Sequence, residues 1–400
     1  MNEYRNDFPM LKQNFVYLNS ASTALKPQVV MDAMDDYYNN YGVNTNRGVD
    51  SIGYMVTNKY EAVRKKIASF LNAKESEIIF TRGTTDGLNM VARFCEPMIE
   101  ENDEIIVSIH EHHANFVPWQ QLCKRKKAKL IMVKTKLDGT VDLDDLKKCM
   151  NAHTKIVALN HMSNVFGGVN SLSKIASIVH EYPAYFVVDG AQGIVHEQVD
   201  VEQMDVDFYA FSGHKLYGPT GVGVLYGKYN ILKQMEPVNY GGEMIDIVRV
   251  DKTTFKEPPY CFEAGTMMIA EVLGLGASLD YVQAIGYSKM NDYVKKLRRY
   301  FIERLLIEIP NIQIYNRDIA ESNFITFNIK GIHAHDVASH LDRNKIIVRA
   351  GHHCASPLME YLKVASTIRI SLAFYNTKEE CDRVVEVLKG VGDYLNVLFQ

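Results

Sequence analysis

Between about residues 60 and 230, nearly continuous apolar runs alternate with segments of helical spacing. The helical segments include LNMVARFC (88–95) and LSKIASIVHEY (172–182). The strand-like runs are rich in valine and isoleucine: EIIF (77–80), EIIVSI (104–109), KLIMVK (129–134), KIVALNHM (155–162), YFVVDG (185–190), FYAFSG (208–213) and GVGVLYG (221–227). Continuous apolar strands separated by helices are typical of a parallel sheet buried on both faces. The pattern predicts a three-layer α/β/α domain with a mainly parallel sheet.

The pattern changes after Gly274. Two long helical stretches (271–284 and 289–308) precede shorter strand-like runs and two further helices. A chain of 400 residues also exceeds the size that one hydrophobic core usually supports. We therefore expect a large α/β domain over residues 16–274, and a smaller α+β domain formed by residues 1–15 and 275–400.

Composition and charge narrow the class of protein. Apolar residues make up 47%, charged residues 23%, and the formal net charge is −4, as in an ordinary globular protein that does not bind nucleic acid. No apolar stretch is long enough to cross a membrane and the N-terminus lacks a signal-peptide pattern, so a cytoplasmic location is expected. The six cysteines form no CxxC pair, which favours free thiols over disulfides or a metal site.

The strongest local motif is FSGHKLYGPTGVG (211–223), in which a strand is followed by a lysine on a glycine-bounded turn. A lysine at a strand end is often only a solvated surface residue. Here Ser212, His214 and the glycines define a fixed polar turn. This arrangement favours the interpretation of Lys215 as a pocket amine that forms a Schiff base with a carbonyl cofactor.

Asp189 ends the apolar strand of VVDGAQ (187–192), so its carboxylate is expected at the carboxyl edge of the sheet, where α/β folds bind ligands. An aspartate at such a position is more often a turn former. Together with a pocket lysine, however, Asp189 also fits the role of a carboxylate that binds the nitrogen of a pyridoxal cofactor. A pyridoxal ring acts as an electron sink when a carboxylate keeps its nitrogen protonated.

Two further motifs follow strands of the same predicted sheet. In RGTT (82–85), Gly83 gives a tight turn, and Thr84 and Thr85 open a helix whose N-terminus favours a phosphate. A simple threonine cap would explain the helix start equally well. In EHHAN (111–115), His112 is expected near the same edge.

The segment RAGHHCASP (349–357) raises the question of what Cys354 does. Metal ligation, a redox thiol, a nucleophile and a small buried filler are all conceivable. Consecutive residues of an extended chain point in different directions, and no second cluster has zinc-like spacing, so a metal site with His352 and His353 is disfavoured.

In combination, these motifs resemble those of the pyridoxal-phosphate-dependent (PLP-dependent) fold-type I enzymes of aminotransferase class V. Within that family the chain resembles the SufS-type, group II cysteine desulfurases. The resemblance runs from YLNSAS (17–22) to SLAFYNTKEE (371–380) and includes HMSNVFGGVN, DGAQ, SGHKLYGPTG, FEAGT and RAGHHCA. It implies conversion of L-cysteine to L-alanine through a persulfide on Cys354, which supplies sulfur for iron–sulfur cluster assembly. Selenocysteine lysis or another class V reaction is the alternative.

The resemblance also implies roles at the cofactor. Lys215 would bind PLP covalently, Asp189 would pair with the pyridine nitrogen, Gln192 would bond the ring hydroxyl, and His112 would stack on the ring. The residues implied to bind the phosphate are Thr84, Thr85, Ser212 and His214. Thr266 of FEAGT would reach the phosphate from the other subunit, which implies a homodimer.

For the substrate, the resemblance implies that Asn164 and Arg369 hold the carboxylate, with Arg349 and Arg47 nearby. Cys354 would accept the sulfur and pass it to an acceptor or scaffold protein of SufU or SufE type. The chain departs from the family pattern near the cofactor mouth and the subunit contacts, at Asn46, Asp50, Asp86, Met267 and Met268.

Overall fold

The computed structural model describes residues 1–45 and 50–391, so Arg47 and Asn46 lie outside the described residues. The N-terminal part contains α1 (Asn2–Arg5), β1 (Val16–Tyr17), α2 (Gln28–Asn40) and α3 (Ser51–Leu71). Asp50 caps α3, because its side chain accepts a hydrogen bond from the amide of Gly53 (2.7 Å). One of the departures from the family pattern therefore has a local structural role.

A seven-stranded sheet forms the centre of the protein. Its strands are β2 (Ile78–Thr81), β3 (Glu104–Ser108), β4 (Lys129–Val133), β5 (Thr154–Asn160), β6 (Tyr185–Asp189), β7 (Phe208–Ser212) and β8 (Gly223–Gly227). Their order across the sheet is β2-β8-β7-β6-β5-β3-β4. Only β8 runs antiparallel to its neighbours, β2 and β7. The mainly parallel sheet predicted from the apolar runs is confirmed.

Helices cover both faces of this sheet, which gives the predicted three layers. They are α4 (Thr84–Cys95), α5 (Val117–Lys126), α6 (Leu143–Cys149), α7 (Leu172–Val179), α8 (Gly193–His196), α9 (Val201–Met204) and α10 (Tyr229–Leu232). Neighbouring residues of one strand belong to different buried clusters: Ile105 and Val107 pack on one side, and Ile106 packs on the other. Because side chains alternate along a strand, these are the two faces of the sheet.

A small hairpin, β9 (Ile245–Val248) and β10 (Thr253–Phe255), precedes the helix α11 (Ile269–Ile285). The predicted domain boundary at Gly274 lies inside α11. A Cβ atom at Gly274 would stand 3.0 Å from Cγ of Met34 on α2, and one at Gly276 would stand 2.6 Å from Cγ2 of Val63 on α3. The glycines therefore allow α11 to pack closely on both helices, and they do not end it.

The C-terminal part comprises α12 (Tyr287–Glu308), β11 (Ile312–Ile314), β12 (Phe324–Ile329), α13 (Ala334–Arg343), β13 (Ile346–Ile347), β14 (Arg349–Gly351), α14 (Ser356–Leu362), β15 (Thr367–Ser371) and α15 (Lys378–Lys389). Four of these strands form an antiparallel sheet in the order β11-β12-β15-β14. Strand β13 instead pairs in parallel with β1, so Val16 and Tyr17 join the C-terminal part. No helix of the described residues is long and apolar enough to cross a membrane.

Candidate active site

A cavity of about 170 Å³ opens at the carboxyl ends of the parallel strands, where the C-terminal sheet meets the large sheet. Its walls come from both parts of the chain. The predicted site residues that line it are Thr84, Thr85, His112, Asn164, Asp189, Ser212, His214, Lys215, Arg349 and Arg369. Positions spread over nearly 300 residues of sequence are thus brought to one place, as parallel strands do at their shared edge.

The turn between β2 and α4 forms an anion cradle. Gly83 has φ = +148°, and a Cβ atom there would stand 3.1 Å from the hydroxyl oxygen of Ser212. That hydroxyl accepts a hydrogen bond from the amide of Thr84 (2.8 Å) and lies 2.7 Å from Oγ1 of Thr84. Two hydroxyls therefore converge at the N-terminus of a 12-residue helix, whose dipole favours an anion.

Lys215 and Asp189 face the cavity from the ends of the neighbouring strands β7 and β6. Burial lowers the pKa of Lys215 to about 8, although the negative charge of Asp189 opposes this shift. Burial also raises the pKa of Asp189, against the effects of Lys215 and of the Ala191 amide, which donates to Oδ1 (2.9 Å). The lysine is therefore an amine that can lose its proton near neutral pH.

His112 enters the cavity from the segment after β3. Its Nδ1 accepts a hydrogen bond from the amide of Ala114 (3.1 Å), so the proton of the neutral ring is on Nε2. Burial, followed by the positive charge of Lys215, lowers the pKa of His112 to about 3. The ring is thus a neutral aromatic surface beside Lys215.

Two arginines meet at one hydroxyl on the other side of the cavity. Nη1 of Arg349 and Nη2 of Arg369 donate to Oγ of Ser22, at 3.0 and 3.1 Å. Arg369 is 1% exposed, burial lowers its pKa to about 9, and its Nε has no hydrogen-bond partner among the described residues. A pair of cations of which one is buried and the other half-buried needs an anion, and a carboxylate matches the geometry of a guanidinium.

Cys354 lies at the margin of the cavity. It is half-buried, and its sulfur accepts a hydrogen bond from Nη2 of Arg349 (3.3 Å). Cys354 and the preceding His353 have φ values of +57° and +53°, in the left-handed region that residues with side chains rarely adopt. Arg349 and His353 line the cavity, and Arg349 contacts the sulfur of Cys354. The thiol therefore lies next to the residues that line the cavity.

Two of the predicted site residues do not line the cavity. The side-chain amide of Gln192 donates to the carbonyl of Ala21 (2.8 Å), and its neighbour Ala191 lines the cavity instead. Thr266 is exposed, and its hydroxyl accepts from the side-chain amide of Asn44 (3.4 Å). Arg47 lies outside the described residues.

Two residues that hold this site in place were not predicted from the sequence. Ser22 joins the two arginines, and the polar segment YLNSAS after β1 was its only signal. Glu111, the first residue of EHHAN, is fully buried and is bonded by Ser108, Asn115 and Asn160. Burial raises its pKa to about 8. It fixes the turn that carries His112.

Comparisons with known proteins show which family the chain is similar to. The family model for aminotransferase class V matches residues 16–384. A probable cysteine desulfurase of Halalkalibacterium halodurans is 44% identical over 404 residues, which cover 99% of this chain and 99% of the relative. A probable cysteine desulfurase of Staphylococcus epidermidis is 46% identical, covering 98% of this chain and 97% of that protein.

Solved structures give the same picture. The crystal structure of the cysteine desulfurase CsdA (S-sulfonic acid) from Escherichia coli superimposes with a TM-score of 0.92 at 39% identity, covering 98% of each chain. The apo structure of a cysteine desulfurase from Thermococcus onnurineus gives a TM-score of 0.93 at 36% identity, covering 97% of each chain. The similarity therefore extends over the whole architecture, including both sheets that form the cavity.

Proposed function

The chain belongs to the aminotransferase class-V family, and from this premise we propose how its cavity performs the reaction of a PLP-dependent cysteine desulfurase. One observation supports the assignment of residues above all. An amine, Lys215, shares a cavity with a buried carboxylate, Asp189, and the margin of this cavity carries a thiol, Cys354, that accepts a hydrogen bond from a guanidinium. The more specific assignment is to the SufS-type, group II enzymes.

The residues of the cavity fit PLP. Thr84, Ser212 and the N-terminus of α4 provide donors for a phosphate, with His214 beside them. Asp189 provides a carboxylate for the pyridine nitrogen, and Lys215 provides the amine for the covalent link. When it is bound, PLP withdraws electron density from the α-carbon of an amino acid.

Arg369 and Arg349 bind the substrate carboxylate, and Asn164 stabilises the cavity wall beside them. The carbonyl of Asn164 accepts from Nη1 of Arg369 (2.7 Å), and its side-chain amide donates to the carbonyl of His353 (2.7 Å). Asn164 thus connects the carboxylate site to the thiol segment. L-cysteine bound in this way presents its sulfur towards the margin of the cavity, where Cys354 lies.

Lys215 moves a proton at Nζ, since a pKa of about 8 lets the amine both accept and return it. The thiolate of Cys354 attacks the substrate sulfur. An S–S bond forms as the substrate C–S bond breaks, and the electron pair of that bond stays with the carbon skeleton, which takes up a proton to give L-alanine. The persulfide remains on Cys354.

The same assignment includes a homodimer and a sulfur acceptor. Thr266 is exposed and does not line the cavity of its own chain, as expected of a residue that reaches the phosphate of a second subunit. Large exposed side chains lie on α2, on α3 and before β9: Tyr38 (64%), Tyr54 (69%) and Tyr240 (66%). An acceptor of SufU or SufE type would take the persulfide sulfur for iron–sulfur cluster assembly in the cytoplasm.

The test measures L-alanine and sulfide released from L-cysteine in the presence of a thiol reductant. We expect Lys215→Ala and Cys354→Ala to abolish alanine formation, whereas Cys149→Ala, a half-buried cysteine distant from the cavity, remains active. Undiminished activity of Cys354→Ala on L-cysteine would reject the persulfide route. Borohydride reduction followed by mass spectrometry should place PLP on Lys215.

A further inference from the structure

The thiol segment is fastened to the turn that carries His112, and the residue that fastens it is the second histidine of EHHAN. The backbone amide of His113 donates to the carbonyl of Cys354 (2.7 Å). Its ring Nε2 accepts from the backbone amide of Ser356 (3.1 Å). His113 therefore holds the carbonyl of Cys354 and the amide two residues further along.

Ser356 connects His113 to the surface of the protein. The hydroxyl of Ser356 lies 3.1 Å from Nε2 of His113 and 3.3 Å from Nδ1 of the exposed His352. Because Nε2 of His113 accepts from a backbone amide, the neutral ring carries its proton on Nδ1. Burial, together with the nearby His352, lowers the pKa of His113, which favours this neutral acceptor.

The segment needs such a contact, because its backbone is strained. His353 and Cys354 are consecutive residues in the left-handed conformation. This conformation costs free energy and persists only where the surrounding contacts hold it. The described hydrogen bonds of Cys354 itself come from the Arg349 guanidinium to its sulfur and from the His113 amide to its carbonyl.

We propose that His113 is a positioning residue that holds the sulfur of Cys354 at the distance required for sulfur transfer. The inference rests on the role proposed for Cys354. The ring of His113 stands outside the residues that line the cavity, so its action is on the thiol segment, whereas the binding of cofactor and substrate is left to other residues.

The test compares His113→Ala with His113→Gln and with the exposed control His153→Ala. We expect His113→Ala to lower kcat for L-cysteine on the order of tenfold to a hundredfold, since a misplacement of about 1 Å has this effect. KM and the visible absorbance of the bound cofactor should stay near wild type. His113→Gln should recover most of kcat, because Oε1 of glutamine stands where Nε2 stands and can accept from Ser356.

A second readout does not depend on turnover. The rate of alkylation of Cys354 by iodoacetamide, followed by peptide mass spectrometry, should change in His113→Ala and return towards wild type in His113→Gln. If the alanine variant does not fold, His113→Asn replaces it, because its shorter amide cannot reach Ser356. Equal kcat and alkylation rates in the Gln and Asn variants would overturn the proposal.

The outcomes separate this inference from the proposed function. Wild-type kcat in His113→Ala, with Cys354→Ala inactive, would reject the positioning role alone. Full activity of Cys354→Ala would reject the proposed function itself. A loss in His113→Ala that appears mainly as a raised KM would also overturn the inference, because it would place the ring in substrate binding.

Discussion

One buried arginine holds the segment FEAGT against the large sheet, and its two carboxylate partners allow a matched experiment. Nη1 and Nη2 of Arg64 donate to the two carboxylate oxygens of Glu263, at 2.8 and 2.9 Å. Nε of Arg64 donates to Glu61 (2.8 Å). Glu263 also accepts from the backbone amide of Phe80 on β2 (2.7 Å). One cation thus connects α3, β2 and the segment that leads to Thr266.

The two carboxylates differ in exposure, and this difference sets the expected magnitudes. The side chain of Arg64 is 1% exposed, that of Glu263 is 6% exposed and that of Glu61 is 25% exposed. Glu263→Ala leaves the buried amide of Phe80 without its acceptor and removes the bidentate partner of a buried guanidinium, which keeps only Glu61 and the Ile78 carbonyl; this costs about 3–5 kcal/mol. Glu61→Ala removes the more exposed, half-buried partner and leaves the Glu263 pair intact, which costs about 1 kcal/mol.

The assay is thermal unfolding of the PLP-loaded protein followed by fluorescence. Unfolding entropy is about 2.1 cal/mol/K per residue, so for a chain of 400 residues a loss of about 4 kcal/mol lowers Tm by about 5 °C. Glu61→Ala should shift Tm by about 1 °C or less. Because β2 ends at the anion cradle, Glu263→Ala should also release PLP faster on dilution. Equal Tm shifts in the two variants would refute the reasoning.

Two further predictions concern thiols and pH. Iodoacetamide should modify Cys354 in the folded protein before the five cysteines whose pKa burial raises, as read by peptide mass spectrometry: Cys95, Cys123, Cys149, Cys261 and Cys381. Preferential labelling of any of these would contradict the burial described. The hydrogen bond to Asp207 raises the pKa of His180. Its stabilisation is therefore fully present below the unfolded pKa of about 6.5 and is lost as pH rises through the folded value. Wild type should exceed His180→Gln in urea resistance at about pH 5.5, with a smaller difference at about pH 9.

The sequence predicted the strand-end residues well, because each strand and the turn after it are local patterns. Asp189 and Lys215 follow apolar runs of one parallel sheet, and parallel strands bring their carboxyl ends to one edge. The role of Ser22 could not be predicted in this way. Its contacts with Arg349 and Arg369 depend on the pairing of β1 with β13 and on the separate pairing of β14 with β15.

The run IIVRAG (346–351) shows the same limit. It reads as one strand, but its first two residues pair with β1 and its last three pair with β15. A change of partner within one apolar run leaves no local signal, since both halves have strand-like composition. The packing role of Gly274 also has no local signal. Its place in α11 is set by the closeness of Met34, a contact distant in sequence.

The position of the thiol fits the role of sulfur carrier proposed for it. In the proposed reaction the substrate sulfur is taken up inside the cavity, whereas a protein acceptor would approach from outside. Cys354 is half-buried, with Arg349 at the cavity wall on one side and the exposed His352 two residues away on the other. A thiol deeper in the cavity would be hidden from the acceptor, and one further out would not reach the substrate. The left-handed backbone of His353 and Cys354 holds the sulfur at this boundary, and it depends on the contacts of His113 to do so.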